Sequence, residues 1–225
     1  MKTFWCIILS LLVSSMCFGQ IDDATCQSPA PSREELFGMV EPKAPEWHKE
    51  NGFWLRSEVY DDFKRMQKAA RKDSVNLYII SAFRSFDRQK TIWERKWNSA
   101  ERSHMEPVER ARHILRYSSM PTTSRHHWGT DVDLNSVEFK YFFTKEGNRV
   151  LQWLYDHAAE YNFFRPYTEG RPKGYMPEPW HWSHRTSERF LETYLQTVSD
   201  TDIKGFEGAD TADTLNIIEY WVKLD

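Results

Sequence analysis

The sequence predicts an α+β domain, on three observations. Amphipathic segments with helical spacing alternate along the chain with short β-branched or aromatic runs of strand length. A length of 225 residues suffices for one substantial core. A hydrophobic content of 40% with 28% charged residues is that of a globular protein, not of a disordered or coiled-coil chain.

Taken in order, the chain begins with the pattern of a secretory signal. Lys2 precedes the apolar run 4–13, and Cys17-Phe18-Gly19 offers small residues at the cleavage positions. Residues 1–19 are therefore expected to be removed, with retention as an uncleaved anchor as the alternative, and no later stretch could span a bilayer. Cleavage takes Cys6 and Cys17 away and leaves Cys26, which alone makes neither an intramolecular disulfide nor a thiolate cluster. Residues 20–32 read as a flexible leader and 33–225 as a single domain, with 198–225 as a helical C-terminal cover that packs through Phe206, Tyr220 and Trp221.

Within the domain, Ser32-Arg33-Glu34-Glu35 has the form of a capping box before a short helix that ends near Gly38. Val59, Phe63, Met66 and Ala70 mark a helix over 58–72. Residues 76–83 read as a buried strand, and 86–98 as a helix with Ile92, Trp93 and Trp97 inward. Pro107 suits the first turn of a further helix. Residues 129–134 alternate as a strand does, Thr144 can cap a helix, and 162–165 is a short strand. Pro177 and Pro179 keep 175–182 extended. Helices near 186–197 and 212–222 close the chain. The Lys/Arg-rich stretches 64–72 and 84–96 read as solvated helix faces.

Charge excludes one large class of function. With 30 Lys+Arg against 33 Asp+Glu the net charge is −3, so no basic surplus exists to neutralise phosphates, and a nucleic-acid partner is not expected. With cysteine nearly absent, chemistry falls to His, carboxylates or Ser. Ten Trp, 14 Phe and 10 Tyr must supply much of the core and the walls of a cleft. Trp128, Trp180 and Trp182 are expected in those two roles, and His127 and His184 in supporting or structural ones.

Three polar clusters fall at strand ends: Ser81-Ala82-Phe83-Arg84-Ser85, Ser124 to Asp133, and Glu178-Pro179-Trp180-His181-Trp182. His126 and Asp133 are seven residues apart, which on a helix is about 10.5 Å along the axis and too far for one ion. A turn at Gly129 leading into a strand can instead bring both side chains to one centre. His181, from a later strand, would complete a three-ligand site of the catalytic zinc type, with Glu178 left over as general base. Spacing leaves two choices open. Alternation puts Asp131 and Asp133 on the same face, and His126 and His127 are neighbours.

Ser124-x-His126-x-x-Gly129-x-x-x-Asp133 followed by Glu178-Pro179-Trp180-His181 resembles the signature of VanY-type D-alanyl-D-alanine carboxypeptidases, zinc peptidases related to the hedgehog-like fold. Ser81-Ala82-Phe83-Arg84-Ser85, with Gln89 beyond it, is similar to that family's Ser-Gly-Tyr-Arg-Ser…Gln segment. The resemblance implies a small central antiparallel sheet flanked by helices. It implies Zn2+ held by His126, Asp133 and His181, with Glu178 as the catalytic base. Arg84 would act in catalysis by polarising the scissile carbonyl or would bind the substrate carboxylate, and Ser124 and Gln89 would help to hold the substrate. The implied activity is removal of the terminal D-Ala from peptidoglycan stem peptides or muropeptides by an exported enzyme of the bacterial periplasm or cell envelope. Asp131 stands where the family usually has Ala, and Ala82-Phe83 where it has Gly-Tyr. The extra carboxylate would support a ligand histidine, lower the electrophilicity of the metal or change the preferred substrate. Competing readings are a murein endopeptidase with the same zinc apparatus, a zinc-stabilised binding module without turnover, and an aromatic-lined carbohydrate binder.

Overall fold

A computed structural model describes residues 29–223, so the expected signal segment and most of the leader, Cys26 included, lie outside the described residues. Helix α1 (Arg33–Leu36) opens on the expected capping box: the Ser32 hydroxyl accepts from the Glu35 amide at 3.2 Å, and the Glu35 carboxylate accepts from the Ser32 amide at 2.9 Å. An unforeseen hairpin follows, β1 (Trp47–Glu50) against β2 (Phe53–Arg56). Its turn is Asn51-Gly52, both at positive φ (50° and 92°), the sequence that two-residue hairpins favour.

Helix α2 (Ser57–Lys72) buries Val59, Phe63, Met66 and Ala70, the stripe read from spacing. Strand β3 (Ile79–Ser81) is shorter than the expected run, because its register against the next strand shifts between Ile79 and Ser81. Helix α3 (Phe86–Trp97) is capped by the Ser85 hydroxyl, and α4 (Pro107–Leu115) starts on its proline. A single 3-10 turn, Arg125–Trp128, leads through Gly129 into β4 (Asp131–Leu134). Helices α5 (Phe139–Phe142) and α6 (Lys145–His157) follow, the second capped by Thr144, and then β5 (Phe163–Phe164), β6 (His181–His184) and α7 (Ser187–Thr197).

The helix expected near 212–222 is interrupted. It appears as α8 (Thr211–Leu215) and a π-helical turn, Ile218–Val222, because Asn216 adopts the left-handed conformation (φ 49°) that ends a helix. In this region Phe206 packs edge-on against Trp93 at 5.8 Å, while Tyr220 stays 47% exposed.

The central sheet is antiparallel throughout, in the order β3-β4-β6-β5. One face carries Val132, Leu134, Trp182 and Ile79 into a core shared with α2 and α6. The opposite face carries Asp131, Asp133, His181 and Ser183, as the period of two along a strand requires, and the register shift between Ile79 and Ser81 sets Ser81 opposite Asp133 there. A second apolar cluster joins α3, α4, α7 and the C-terminal turns around Trp93, Trp128 and Phe190. Among the described residues, no helix is long and apolar enough to cross a membrane.

Candidate active site

Ser81, Asp133 and His181 lie in one row across three strands, because β3 sets Ser81 opposite Asp133 and β6 sets His181 opposite Asp133. His126 reaches the same point from the 3-10 turn. That turn closes on Gly129 at φ 70°, where an added Cβ would stand 2.2 Å from the Trp47 ring. Only glycine permits both the left-handed backbone and that close approach.

Hydrogen bonds decide which atom each side chain presents. His126 Nδ1 lies 2.8 Å from the Ala82 carbonyl, which fixes that nitrogen as a donor and leaves Nε2 free, 3.3 Å from Asp133 Oδ2. His181 is turned the other way. Its Nε2 is 3.0 Å from Asp131 Oδ1, so Nδ1 faces Asp133 Oδ1 at 3.2 Å. Asp133 Oδ1 is buried and makes no hydrogen bond. The three donor atoms lie within 4.8 Å of one another.

This donor set fits zinc. Tetrahedral zinc with bonds of about 2.0–2.1 Å separates its donors by roughly 3.3 Å. Each imidazole nitrogen stands at about that separation from an Asp133 oxygen, His126 Nε2 from Oδ2 and His181 Nδ1 from Oδ1. Two neutral imidazoles and one carboxylate, each steadied through its other atoms, are the usual makings of such a site.

The structure also gives physical reasons for the two choices that spacing left open. His127 has no free nitrogen: Nδ1 lies 2.6 Å from the Arg84 carbonyl, and Nε2 accepts from the Thr122 amide at 3.1 Å. Burial lowers its pKa to about 3, so it is a neutral tie between two loops. Asp131 is equally committed. Besides His181 it accepts from Arg125 Nε at 3.1 Å, from Thr130 Oγ1 at 2.6 Å and from the Ser183 hydroxyl. Burial alone would raise the Asp131 pKa, but Arg125 and the neighbouring histidines hold it well below the usual carboxylate range.

Glu178 sits beside this centre, 8% exposed, with Oε2 3.9 Å from His181 Nδ1. Burial pushes its pKa up to about 8, Asp133 adds to the rise, and the His181 and Arg84 charges oppose it. His181 itself is raised to about 9, because the Asp131 and Asp133 carboxylates on either side of it outweigh its burial. Arg84 Nη2 approaches Asp133 Oδ2 at 3.7 Å and donates to Ser81 Oγ at 2.9 Å, while Nη1 donates to Gln89 Oε1 at 2.8 Å.

Gln89 is fully buried behind Arg84, and its amide nitrogen donates to the Ser119 carbonyl at 2.6 Å. Ser124 lies on the cleft wall beside His126. The cleft encloses about 500 Å³, and Tyr117, Phe139, Tyr167, Tyr175 and Trp180 supply its aromatic walls. Trp128 and Trp182 instead belong to the two cores. His184 ties Asp62 of α2 to the sheet at 3.0 Å, away from the cleft.

Sequence reasoning missed Lys96. The stretch 84–96 reads as a solvated face, yet Lys96 lines the cleft and donates to the Ser118 hydroxyl. The available signal was its position seven residues after Gln89, two turns along the same helix face.

Comparison with known proteins agrees with this fold. YodJ of Bacillus subtilis (strain 168), provisionally named a carboxypeptidase, is 31% identical over 137 residues, 57% of this chain and 45% of YodJ. The chain spans about half the length of the curated relatives it matches. A vancomycin-resistance D,D-pentapeptidase, VanY from a VanB-type cassette, solved with Zn(II), superposes with a TM-score of 0.53 at 24% identity, covering 68% of this chain and 85% of its own. VanYB solved with D-alanine-D-alanine gives 0.55 at 23% identity, covering 71% and 88%. These likenesses give the fold. The pattern of the family described as VanY, D-alanyl-D-alanine carboxypeptidase, runs through residues 52–187, from the hairpin past the last metal donor. That span, more than half of the sequence, places the chain in the VanY D-alanyl-D-alanine carboxypeptidase family.

Proposed function

We propose that this chain is an exported zinc carboxypeptidase that removes the terminal D-Ala from peptidoglycan stem peptides. The observation that carries the reading is the convergence of His126 Nε2, Asp133 and His181 Nδ1, with the Glu178 carboxyl 3.9 Å from that last nitrogen. A purely structural zinc site needs no such free carboxyl. The Zn(II) and D-alanine-D-alanine complexes of the two solved relatives support the choice of ion and substrate.

His126, Asp133 and His181 would hold the ion, which when bound supplies a Lewis acid and acidifies water. Glu178 takes the proton of the attacking water and hands it to the leaving amine. The neighbouring cations favour its ionised form against the burial that opposes it. Arg84, fixed by Ser81 and Gln89 next to Asp133, stabilises the negative charge that develops on the scissile oxygen. Gln89 therefore acts through Arg84, and Ser124 offers a wall position from which to hold the peptide. Export rests on the expected signal segment 1–19, and a cell-envelope location follows from the substrate.

Mass spectrometry of a stem pentapeptide after incubation tests the proposal. The expected product lacks a single D-Ala, its formation stops with a chelator, and added zinc restores it. Cleavage confined to cross-linked dimers would overturn it in favour of the endopeptidase. Glu178→Gln should lower kcat by about 10²–10⁴-fold while the protein still binds one zinc. Undiminished hydrolysis would remove Glu178 from the mechanism.

A further inference from the structure

The cleft contains a cation that the reaction as described does not use. Lys96 lies near the C-terminal end of α3 and lines the same cavity as Arg84, His126 and Glu178. Its ammonium donates to the Ser118 hydroxyl, and no carboxylate among the described residues lies within ion-pair distance of it. An ammonium has three donors. Two are therefore open to the cleft or to water.

The other two cations of the cleft have most of their donors engaged. Arg125 donates through Nε to Asp131 and Ser183 and through Nη2 to Ser187, which leaves only its buried Nη1 without a partner. Arg84 is gripped through both terminal nitrogens by Gln89 and Ser81 and stands 3.7 Å from Asp133, where the carboxypeptidase reading uses it for the scissile oxygen. A carboxypeptidase substrate carries a second polar demand, a carboxylate one residue beyond the bond that breaks. Away from bulk water, that anion needs a charged partner.

Both cations are held from one short segment of the cleft wall. Gln89, which positions Arg84, is tied to Ser119, and Lys96 is tied to the preceding residue, Ser118. Lys96 also lies within electrostatic reach of Glu178, whose charge opposes the lowering that burial imposes on the lysine.

We infer that Lys96, oriented by Ser118, is the anchor for the C-terminal carboxylate of the substrate, which leaves Arg84 to the scissile oxygen. The inference rests on the carboxypeptidase reading above and assigns a residue to the terminal anion of that substrate.

The test crosses a change in the protein with a change in the peptide. Affinities of an N-acylated peptide ending in D-Ala-D-Ala and of its C-terminal amide are measured by calorimetry on zinc-loaded Glu178→Gln protein, which does not consume them. The free acid should bind at least tenfold more tightly than the amide. Adding Lys96→Met should abolish that preference, and Lys96→Arg should restore part of it. With Glu178 intact, Lys96→Met should raise KM with little change in kcat. Melting temperature and zinc stoichiometry report folding, and Lys96→Gln, which keeps a polar end for Ser118, carries the test if the Met variant does not fold. A Lys96→Met protein that still prefers the acid would overturn the assignment alone, provided the unsubstituted protein releases D-Ala. If the unsubstituted protein releases no D-Ala from the free acid, the carboxypeptidase reading falls and takes the anchor with it.

Discussion

At the scale of single residues, Asp131 shows how a side chain outside the candidate donor set can decide the geometry of one within it. His181 can present either ring nitrogen, and Asp131 settles the choice by taking Nε2. Arg125, Thr130 and Ser183 keep that carboxylate charged and fixed. Asp131→Asn weakens the acceptor and frees the imidazole to turn. Zinc affinity, measured by competition with a chromophoric chelator, should fall about 10–100-fold with the fold retained. Unchanged affinity would mean that packing alone orients His181. The sequence makes both aspartates visible but not their division of labour, because alternation places them on one face. The choice turns on Arg125 and Ser183, and Ser183 is adjacent only once β6 has paired with β4.

At the scale of elements, most of the helices are legible because each carries its own instructions. The Ser32 and Ser85 caps, the α2 stripe and the proline at the start of α4 are all local signals. Asn51-Gly52 is a local signal too, and it marks the hairpin that the sequence reading passes over. The strands are harder to delimit, since β3 and β5 are three and two residues long and their limits depend on partners distant in sequence. Lys96 is obscured for a related reason: a lysine at the edge of an amphipathic helix looks solvated until another segment, here 117–119, closes over it. The turn carrying His126 depends on Gly129 and the Trp47 ring beneath it. Gly129→Ala should cost at least about 1–2 kcal/mol from the left-handed backbone alone, and more from the clash with Trp47. Urea denaturation measures the loss, and a stability equal to that of the parent would mean that the turn relaxes without strain.

At the scale of the whole molecule, the buried charges link stability to pH and to the metal. Without an ion, the folded protein keeps a proton on His181 up to about pH 9 and on Glu178 up to about pH 8, where the unfolded chain has already released both. Their stabilisation is complete below the unfolded pKa values and is lost as pH rises through the folded ones. The depressed pKa values of Asp131 and Asp133 act only at acid pH and are constant in this window. Chelator-treated protein should therefore melt at progressively lower temperature from pH 6.5 to pH 9. Zinc displaces the His181 proton and stabilises the native state by mass action, so the gap between loaded and stripped protein should widen over the same range. Melts followed by circular dichroism check this, and a stripped protein that gained stability with rising pH would contradict it.

The two-faced strands β4 and β6 have a consequence for how the protein can vary. Each alternates between side chains of the site and side chains of the core, so inserting or deleting one residue within either would send the metal donors inward and the core residues outward. Changes of length can be absorbed between them, over 135–180, where Val137, Phe139, Tyr167 and Tyr175 form much of the cleft. A change of length there would reshape the cleft wall and leave the row of His126, Asp133 and His181 in register.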